Sequence, residues 1–321
     1  MAQKSQFKMC DNCKIGVKCC KIIPPMIFQF EQNNFQKSIF FDKFGSVNVP
    51  LLDKKNKNCI FLKNNKCQIY QKRPLNCEMF PIDIRRINNK LYWVVLNFCE
   101  IPENVERDLK KFENALLKIP RLELDLYVDY SSQTEELKKL KYHIIREVHM
   151  PPVKVEILHH KNHKFMFLDG YLWMWDTPQE TELQEDLAKQ GFGDVLVAGY
   201  GLGILSKFLL DNPKVKSVTT VEMYKEVIDK MKEFGKIYGK TIVGDFYELP
   251  ESKKYDCIIG DIWPDIDAKF LDDYVKFKKK SQKILKKNGT ILAWGKDFFE
   301  YLLKKKKSPF LKLNTPEPNI A

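Results

Sequence analysis

Hydrophobic and polar positions change rhythm along this chain. From residue 10 to about residue 99 no helical period is sustained, and apolar clusters are broken by turn-forming pairs such as Asn33-Asn34 and Asn64-Asn65. Two helical patterns follow. Val105, Leu109, Phe112 and Leu116 recur at helical spacing, and Pro120 ends that run. Ser132-x-x-Glu135 has the form of a capping box ahead of Leu137, Leu140, Ile144 and Val148, which predicts a second helix. Pro151-Pro152 then interrupts the chain, so the boundary is expected between a domain of residues 1–150 and one of residues 151–321.

Beyond that break the pattern becomes a β/α alternation. Residues 153–158 and 165–168 read as strands of a hairpin around His159-His160-Lys161-Asn162-His163, and 180–190 as a helix. Strands are then predicted over 195–198, 217–221, 240–243, 255–259 and 290–293, and helices over 202–210, 225–234 and 270–285. This order predicts an α/β fold: a Rossmann-like parallel sheet covered by helices on both faces, preceded by a small cysteine-rich domain.

Composition sharpens the division. Of nine cysteines, eight lie between Cys10 and Cys99, and only Cys257 lies beyond. The formal charge of +12 is uneven, since residues 1–100 carry 17 basic against 7 acidic side chains. No apolar run approaches the roughly 20 residues of a bilayer span, and no signal-like stretch precedes Cys10. A cytoplasmic location without membrane contact is expected, where clustered cysteines mean metal rather than disulfides.

The densest chemical signal is Asp194-Val-Leu-Val-Ala-Gly199-Tyr200-Gly201-Leu202-Gly203, an apolar strand ending in three alternating glycines before a helix. Such a turn lets a ligand approach the backbone, and the helix start favours a negative group. Glu222 ends the next strand, about 20 residues on, where a carboxylate can accept both ribose hydroxyls. Gly244-Asp245 ends the third strand and Asp261 the fourth.

Over residues 153–321 the chain resembles class I S-adenosylmethionine-dependent methyltransferases, nearest the spermidine-synthase-like branch. The pieces that carry the resemblance are Phe167-Leu168-Asp169-Gly170, the Gly199–Gly203 strand and turn, Val221-Glu222-Met223 and the Asp261 segment. The resemblance implies that Gly199, Tyr200, Gly201 and Gly203 hold the methionine part of S-adenosyl-L-methionine. It implies that Glu222 takes the ribose, that Asp245 takes the adenine amino group with Phe246 beside the ring, and that Asp261 faces the acceptor as the catalytic residue. Val197 stands where most methyltransferases carry an acid, as is usual in the spermidine-synthase branch. Leu202 replaces the acid with which that branch holds its amine, which argues against aminopropyl transfer. Asp261-Ile262-Trp263-Pro264 does not match the Asp/Asn-Pro-Pro-aromatic motif of amino-group methyltransferases, and Trp263 is placed either in the acceptor wall or in the core. Only 26 residues follow Gly295, so the family's usual final pair of strands is expected to be missing or degenerate.

In the other half, Cys10-x2-Cys13-x5-Cys19-Cys20 is followed by Cys59, Cys67, Cys77 and Cys99. A Cys-x2-Cys knuckle places two sulfurs on one metal, and eight thiols suffice for two four-sulfur sites or one iron–sulfur cluster and a second site. Cys59-Ile60-Phe61-Leu62, Cys67-Gln68-Ile69-Tyr70 and Arg73-Pro74-Leu75-Asn76-Cys77 with Phe80-Pro81 are similar to the CxxCxxCC family of zinc- or iron-chelating domains, over about residues 8–100. That family is linked with flagellin lysine methylation, so the resemblance implies a macromolecular acceptor, a protein rather than an RNA.

Other features carry less. His159, His160 and His163 have metal-like spacing in a solvated loop. The lysine runs 278–280 and 304–307, with Tyr70, Tyr92 and Trp93 near Lys72, Arg73, Arg85 and Arg86, are the candidates for RNA contact. The reading is a methyltransferase that uses S-adenosyl-L-methionine to methylate a nitrogen on a macromolecule, with a metal module of zinc or iron. The alternatives are an aminopropyltransferase acting on a polyamine, and a non-catalytic metal- or RNA-binding protein.

Overall fold

The computed structural model describes residues 25–45, 47–55, 58–64, 66–87, 90–97, 105–133 and 139–307. The chain divides into two compact units, the break falling between Lys154 and Val155.

In the first unit, strands β1 (Ile39–Phe44) and β2 (Val47–Leu52) form an antiparallel hairpin, with Ile39 opposite Leu52. Two minimal ladders follow: β3 (Lys54–Lys55) with β4 (Asn58–Cys59), and β5 (Leu62–Lys63) with β6 (Lys66–Cys67). A one-turn helix α1 (Leu75–Met79) leads into β7 (Ile82–Ile87) and β8 (Lys90–Leu96). Helices α2 (Val105–Leu116) and α3 (Arg121–Gln133) precede β9 (Tyr142–Glu147), which pairs antiparallel with β8. Met26, Phe28, Trp93, Leu109, Phe112, Leu124 and Val128 close one apolar core.

The helix expected ahead of Val148 is not formed: 142–147 is a strand, and 134–138 lie outside the described residues. The open edge of β8 offers Ile144 and its neighbours a ladder of hydrogen bonds, which overrides a spacing that also suits a helix. The second helix starts earlier. Leu124, Tyr127, Val128 and Ser131 share its buried face, and Pro120, read as a stop, also opens it by accepting from the amides of Glu123 and Leu124.

A buried polar network ties α3 to β7. Asp83 and Arg85, each 4% exposed, form an ion pair at 2.9 Å. The Tyr127 hydroxyl donates to Asp83 Oδ1 at 2.5 Å, Ser131 Oγ donates to Oδ2 at 2.8 Å, and Arg85 Nη1 donates to the Ser131 carbonyl. Burial beside Asp83 holds the Tyr127 phenol well above its usual range. Each charge is therefore matched within hydrogen-bond distance, the condition under which charges survive in a core.

The second unit opens with an antiparallel sheet of β10 (Val155–His160), β11 (His163–Leu168) and β12 (Tyr171–Trp175). Asp169 and Gly170, at φ 49° and 84°, make the tight two-residue turn into β12. Helix α4 (Pro178–Lys189) leads into the main sheet: β13 (Gly193–Ala198), α5 (Ile204–Asp211), β14 (Val215–Glu222), α6 (Lys225–Glu233), β15 (Lys240–Val243), β16 (Tyr255–Gly260), α7 (Leu271–Ile284) and β17 (Leu285–Ala293). All its pairings are parallel, in the order β15-β14-β13-β16-β17. This is the Rossmann-like sheet the alternation predicted.

Both faces are dry. Val195, Val197, Cys257 and Ile259 pack under Leu187, Leu205 and Leu209, while Leu196, Ala198 and Ile258 pack under Tyr274, Phe277 and Ile284. Because successive residues point to opposite faces, burial on both sides requires the continuous apolar runs seen in β13 and β16. After β17 comes a helix, α8 (Lys296–Lys307), whose Glu300 accepts from Tyr274 Oη at 2.6 Å and Lys278 Nζ at 2.5 Å. Among the described residues no helix is long and apolar enough to cross a membrane.

Replacing Asp83 with alanine is expected to destabilise the chain by roughly 3–5 kcal/mol, because Arg85 would keep its buried charge without a counter-ion. Urea denaturation checks this, and a loss below about 1 kcal/mol would remove the network from the account of stability.

Candidate active site

Strand order reverses between β13 and β16. In open α/β sheets that reversal leaves a crevice at the carboxyl ends, where helix connections leave in opposite directions. Gly199 stands at one lip and Asp261 at the other. The Asp261 amide donates to the Ala198 carbonyl at 2.9 Å, so the two strand ends stay locked together just before they diverge.

The turn after β13 is compact for an internal reason. Gly199 adopts φ 93°, and a Cβ there would run into the backbone oxygen of Asp261. At Gly201, φ 51°, a Cβ would run into the thioether of Met174 from β12. Met174 Sδ also accepts from the Leu202 amide at 3.1 Å. The close approach that the sequence suggested for a ligand is thus made, at these two positions, by the chain itself. Gly203 is the left-handed N-cap of α5, which carries no side-chain cap. Amides of its first turn are left for an outside acceptor.

Glu222 binds this turn to the end of β14. Its Oε2 accepts from the Tyr200 amide at 3.0 Å and its Oε1 from the Tyr224 amide at 2.9 Å. Burial pushes its carboxyl above the usual range, opposed by these backbone donors. The amides of Met223 and Gly201 also lie within its reach, so the carboxylate is ringed by backbone donors. The Tyr200 side chain is buried and its hydroxyl accepts from the Tyr238 amide at 3.0 Å. Asp245 Oδ1 accepts from the Tyr247 amide at 2.8 Å. The Phe246 ring turns into the core, with its centroid 5.3 Å from that of Phe277. These groups fit a nucleoside cofactor with an anionic tail: a two-oxygen acceptor at β14, a carboxylate at β15 and an uncapped helix start between them.

Asp261 is the most perturbed of these acids. Burial, and then the charge of Glu180, push its carboxyl up to about 7. The residue as a whole is half-buried. The Gln184 amide lies between the two acids, with Nε2 donating to Glu180 Oε1 at 2.7 Å and to Asp261 Oδ2 at 3.1 Å. Burial pushes Glu180 upward too, and the Gln184 amide and the Trp294 indole pull it back. Sequence reading missed both α4 residues. The available signal was Gln184, polar on the same helical stripe as buried Leu187 and Ala188.

Trp263 belongs to the core. It is 5% exposed, donates from Nε1 to the Trp294 carbonyl at 3.1 Å, and meets Tyr274, Phe277 and Phe299 edge-on. Leu202 is buried as well, so its side chain offers the crevice nothing polar. Asp265 accepts from the neighbouring Ile266 amide and Asp267 caps the short turn before α7.

Of the cysteines read as metal ligands, Cys10, Cys13, Cys19, Cys20 and Cys99 lie outside the described residues. Cys59 ends β4, Cys67 ends β6 and Cys77 sits in α1, all three half-buried. Their donor chemistry suits zinc or iron. Among the described residues, however, no three Cys, His, Asp or Glu side chains are grouped to hold a metal. The Arg73 guanidinium lies 4.1 Å over the Tyr70 ring beside them, which uses both in a stack of their own. Trp93 is fully buried and Arg85 is paired inside the core, so neither is available to an RNA base. His163 Nδ1 lies 3.1 Å from the Asp176 carbonyl, and His159 stacks on Phe234.

Residues 9–100 match the family model CxxCxxCC, described as "Putative zinc- or iron-chelating domain". No curated protein matches the chain. Among solved structures, the chain is similar to an S-adenosylmethionine-dependent methyltransferase from Clostridium acetobutylicum ATCC 824, with 22% identity over 36% of this chain and 50% of that one, TM-score 0.28. It is similar to spermidine synthase from Thermotoga maritima, with 18% identity over 48% of this chain and 59% of that one, TM-score 0.37. It is also similar to a methyltransferase from Bacteroides fragilis in complex with S-adenosyl-L-homocysteine, with 18% identity over 34% of this chain and 44% of that one, TM-score 0.28. The matched part of this chain thus spans about half the length of these structures.

Proposed function

We propose that this chain transfers the methyl group of S-adenosylmethionine to a nitrogen on a macromolecule, a protein lysine, and that its cysteine-rich segment binds zinc or iron. The observation that carries this reading is the placement of Asp261, a half-buried residue whose carboxyl is raised to about 7 at the switch point of the sheet, beside the glycine turn.

S-adenosylmethionine supplies an activated methyl group on a sulfonium. The chain's residues then have to bind and align. Glu222 would accept the ribose hydroxyls, the free oxygen of Asp245 would accept from the adenine amino group, and the open first turn of α5 would meet the carboxylate. Asp261 would accept the N–H of the acceptor and take up its proton as nitrogen bonds to the methyl carbon. Buried Leu202 supports methyl rather than aminopropyl transfer, because no acid projects from the turn to hold a second amine. Cys10, Cys13, Cys19, Cys20, Cys59, Cys67, Cys77 and Cys99 would share the metal. The match of residues 9–100 to a chelating domain supports that assignment.

Incubation of the purified chain with a lysate and methyl-labelled S-adenosylmethionine is expected to label a species that protease destroys and nuclease spares. Label lost to nuclease, or none at all, would overturn the acceptor or the reaction respectively.

The pH dependence follows from the direction of the Asp261 shift. A base with a pKa of about 7 is ionised above it and protonated below, so kcat/KM should rise about tenfold per unit up to about pH 7 and then level. Asp261→Asn is expected to abolish that limb and lower kcat by roughly 10²–10⁴. Full activity in the variant would remove Asp261 from the mechanism.

Elemental analysis of anaerobically purified chain is expected to find on the order of two zinc ions, or several irons, per chain, and less in Cys77→Ser. A metal-free chain would refute the cysteine assignment.

A further inference from the structure

The turn from Gly199 to Gly203 keeps its amides occupied. The Gly199 amide donates to the Val221 carbonyl at 2.9 Å, and the Gly203 amide to the Tyr200 carbonyl at 2.8 Å. The Tyr200 amide donates to Glu222 at 3.0 Å, and the Gly201 amide lies within reach of the same carboxylate. These acceptors are all oxygens, and they belong to β14 or to the turn itself. Leu202 is different. Its buried amide donates at 3.1 Å to the Met174 thioether, 28 residues upstream on a strand of the antiparallel sheet.

A thioether accepts weakly, yet a buried amide with no acceptor bears the full cost of its lost hydration. Met174 therefore does two things. It supplies the acceptor for Leu202, and its sulfur occupies the space that a side chain at Gly201 would take. Strand β12 holds that sulfur inward: Met174 is buried opposite fully buried Met166, while Tyr171 and Leu172 of the same strand are exposed.

The place of this contact gives it leverage. Leu202 directly precedes Gly203, the N-cap of α5, and α5 opens without a side-chain cap. Glu222 fixes the turn at Tyr200, and Met174 fixes it again two residues later. The peptide that aims the first turn of α5 is thus held from two separate elements.

We infer that Met174 is a cofactor-positioning residue, whose thioether orients the Leu202 peptide, and with it the start of α5, toward the anionic tail of the cofactor. This rests on the S-adenosylmethionine reading and extends the site to β12, a strand that carries none of its motifs. The competing account is that Met174 only fills space. Volume and acceptor can be separated. Met174→Leu keeps an apolar side chain of similar size and removes the acceptor, whereas Met174→Gln keeps the unbranched reach and offers an amide oxygen.

Amide exchange of the full chain, followed by NMR, is combined with calorimetric titration of S-adenosylhomocysteine. In Met174→Leu the Leu202 amide is expected to exchange about fivefold to tenfold faster than in the wild type, while the Tyr200 amide, held by Glu222, keeps its protection. Affinity for S-adenosylhomocysteine should fall by a similar factor, and Met174→Gln should return both toward the wild-type values. Unchanged thermal unfolding of each variant shows that the fold is intact. Equal exchange at Leu202 in the wild type and folded Met174→Leu overturns the inference and leaves Met174 as packing. Unaltered affinity in Met174→Leu, or a folded Met174→Gln that binds no better than Met174→Leu, overturns it as well. Should Met174→Gln not fold, the comparison of Met174→Leu with the wild type decides alone. A wild-type chain that does not bind S-adenosylhomocysteine counts against the methyl-transfer reading, while exchange at Leu202 still decides whether Met174 holds the turn.

Discussion

The lock between the ends of β13 and β16 sets the geometry of the second unit. The Asp261 amide donates to the Ala198 carbonyl, and the Asp261 carbonyl fills the space where Gly199 would otherwise carry a side chain. That packing forces the chain to turn sharply after Ala198, which brings the start of α5, the backbone of Tyr200 and the carboxylate of Glu222 to one edge. It also fixes where Asp261 emerges. A larger residue at Gly199 would therefore disturb cofactor and acceptor positions together, because the same contact defines both.

The chain shows three ways of burying a carboxylate, and they separate stability from chemistry. Asp83 is met by a guanidinium, a phenol and a hydroxyl, and its network joins a helix to a sheet. Glu222 is met by backbone amides, which oppose the upward push of burial while it organises a turn. Glu180 and Asp261 share the Gln184 amide, and burial raises both carboxyls, with Gln184 and the Trp294 indole pulling Glu180 back. The third arrangement leaves the enclosed Gln184 Oε1 without a hydrogen-bond partner, as Trp93 Nε1 is in the core of the first unit and Ser281 Oγ in that of the second.

The parallel sheet was legible because burial on both faces demands apolar runs, and Val195-Leu196-Val197-Ala198 and Cys257-Ile258-Ile259 are runs of that kind. Gly199, Glu222, Asp245 and Asp261 were legible because strand ends are where a parallel sheet presents ligands. The second helix of the first unit was not, since its stripe runs through Tyr127 and Ser131, whose polar atoms are spent inside the Asp83 network. Strand β9 was misread because Ile144 and Val148 suit a helical period as well as an edge ladder. Met174 and Gln184 escaped because their roles exist only in three dimensions: each meets the crevice from an element that precedes β13 and carries no motif.

The cysteines pose a different question, because the first unit does not need metal for its main core. Phe28, Trp93 and Phe112 already enclose one, supported by α2 and α3. The ladders that carry Cys59 and Cys67 are only two residues long on each strand, and Cys77 sits in a five-residue helix. Elements this short have little to hold them in isolation. Beside the Cys59 and Cys67 ladders lies a small cluster of Ile27, Phe35 and Leu52, with Cys59, Phe61 and Ile69 packed against it, whereas Leu75 and Met79 tie the helix of Cys77 into the main core. Metal bound by these thiols would therefore stabilise the local ladders rather than the domain as a whole. On that argument a chelator should loosen the segment around Cys59–Cys67 while the sheet of β7, β8 and β9 persists, because the two regions draw on separate apolar clusters.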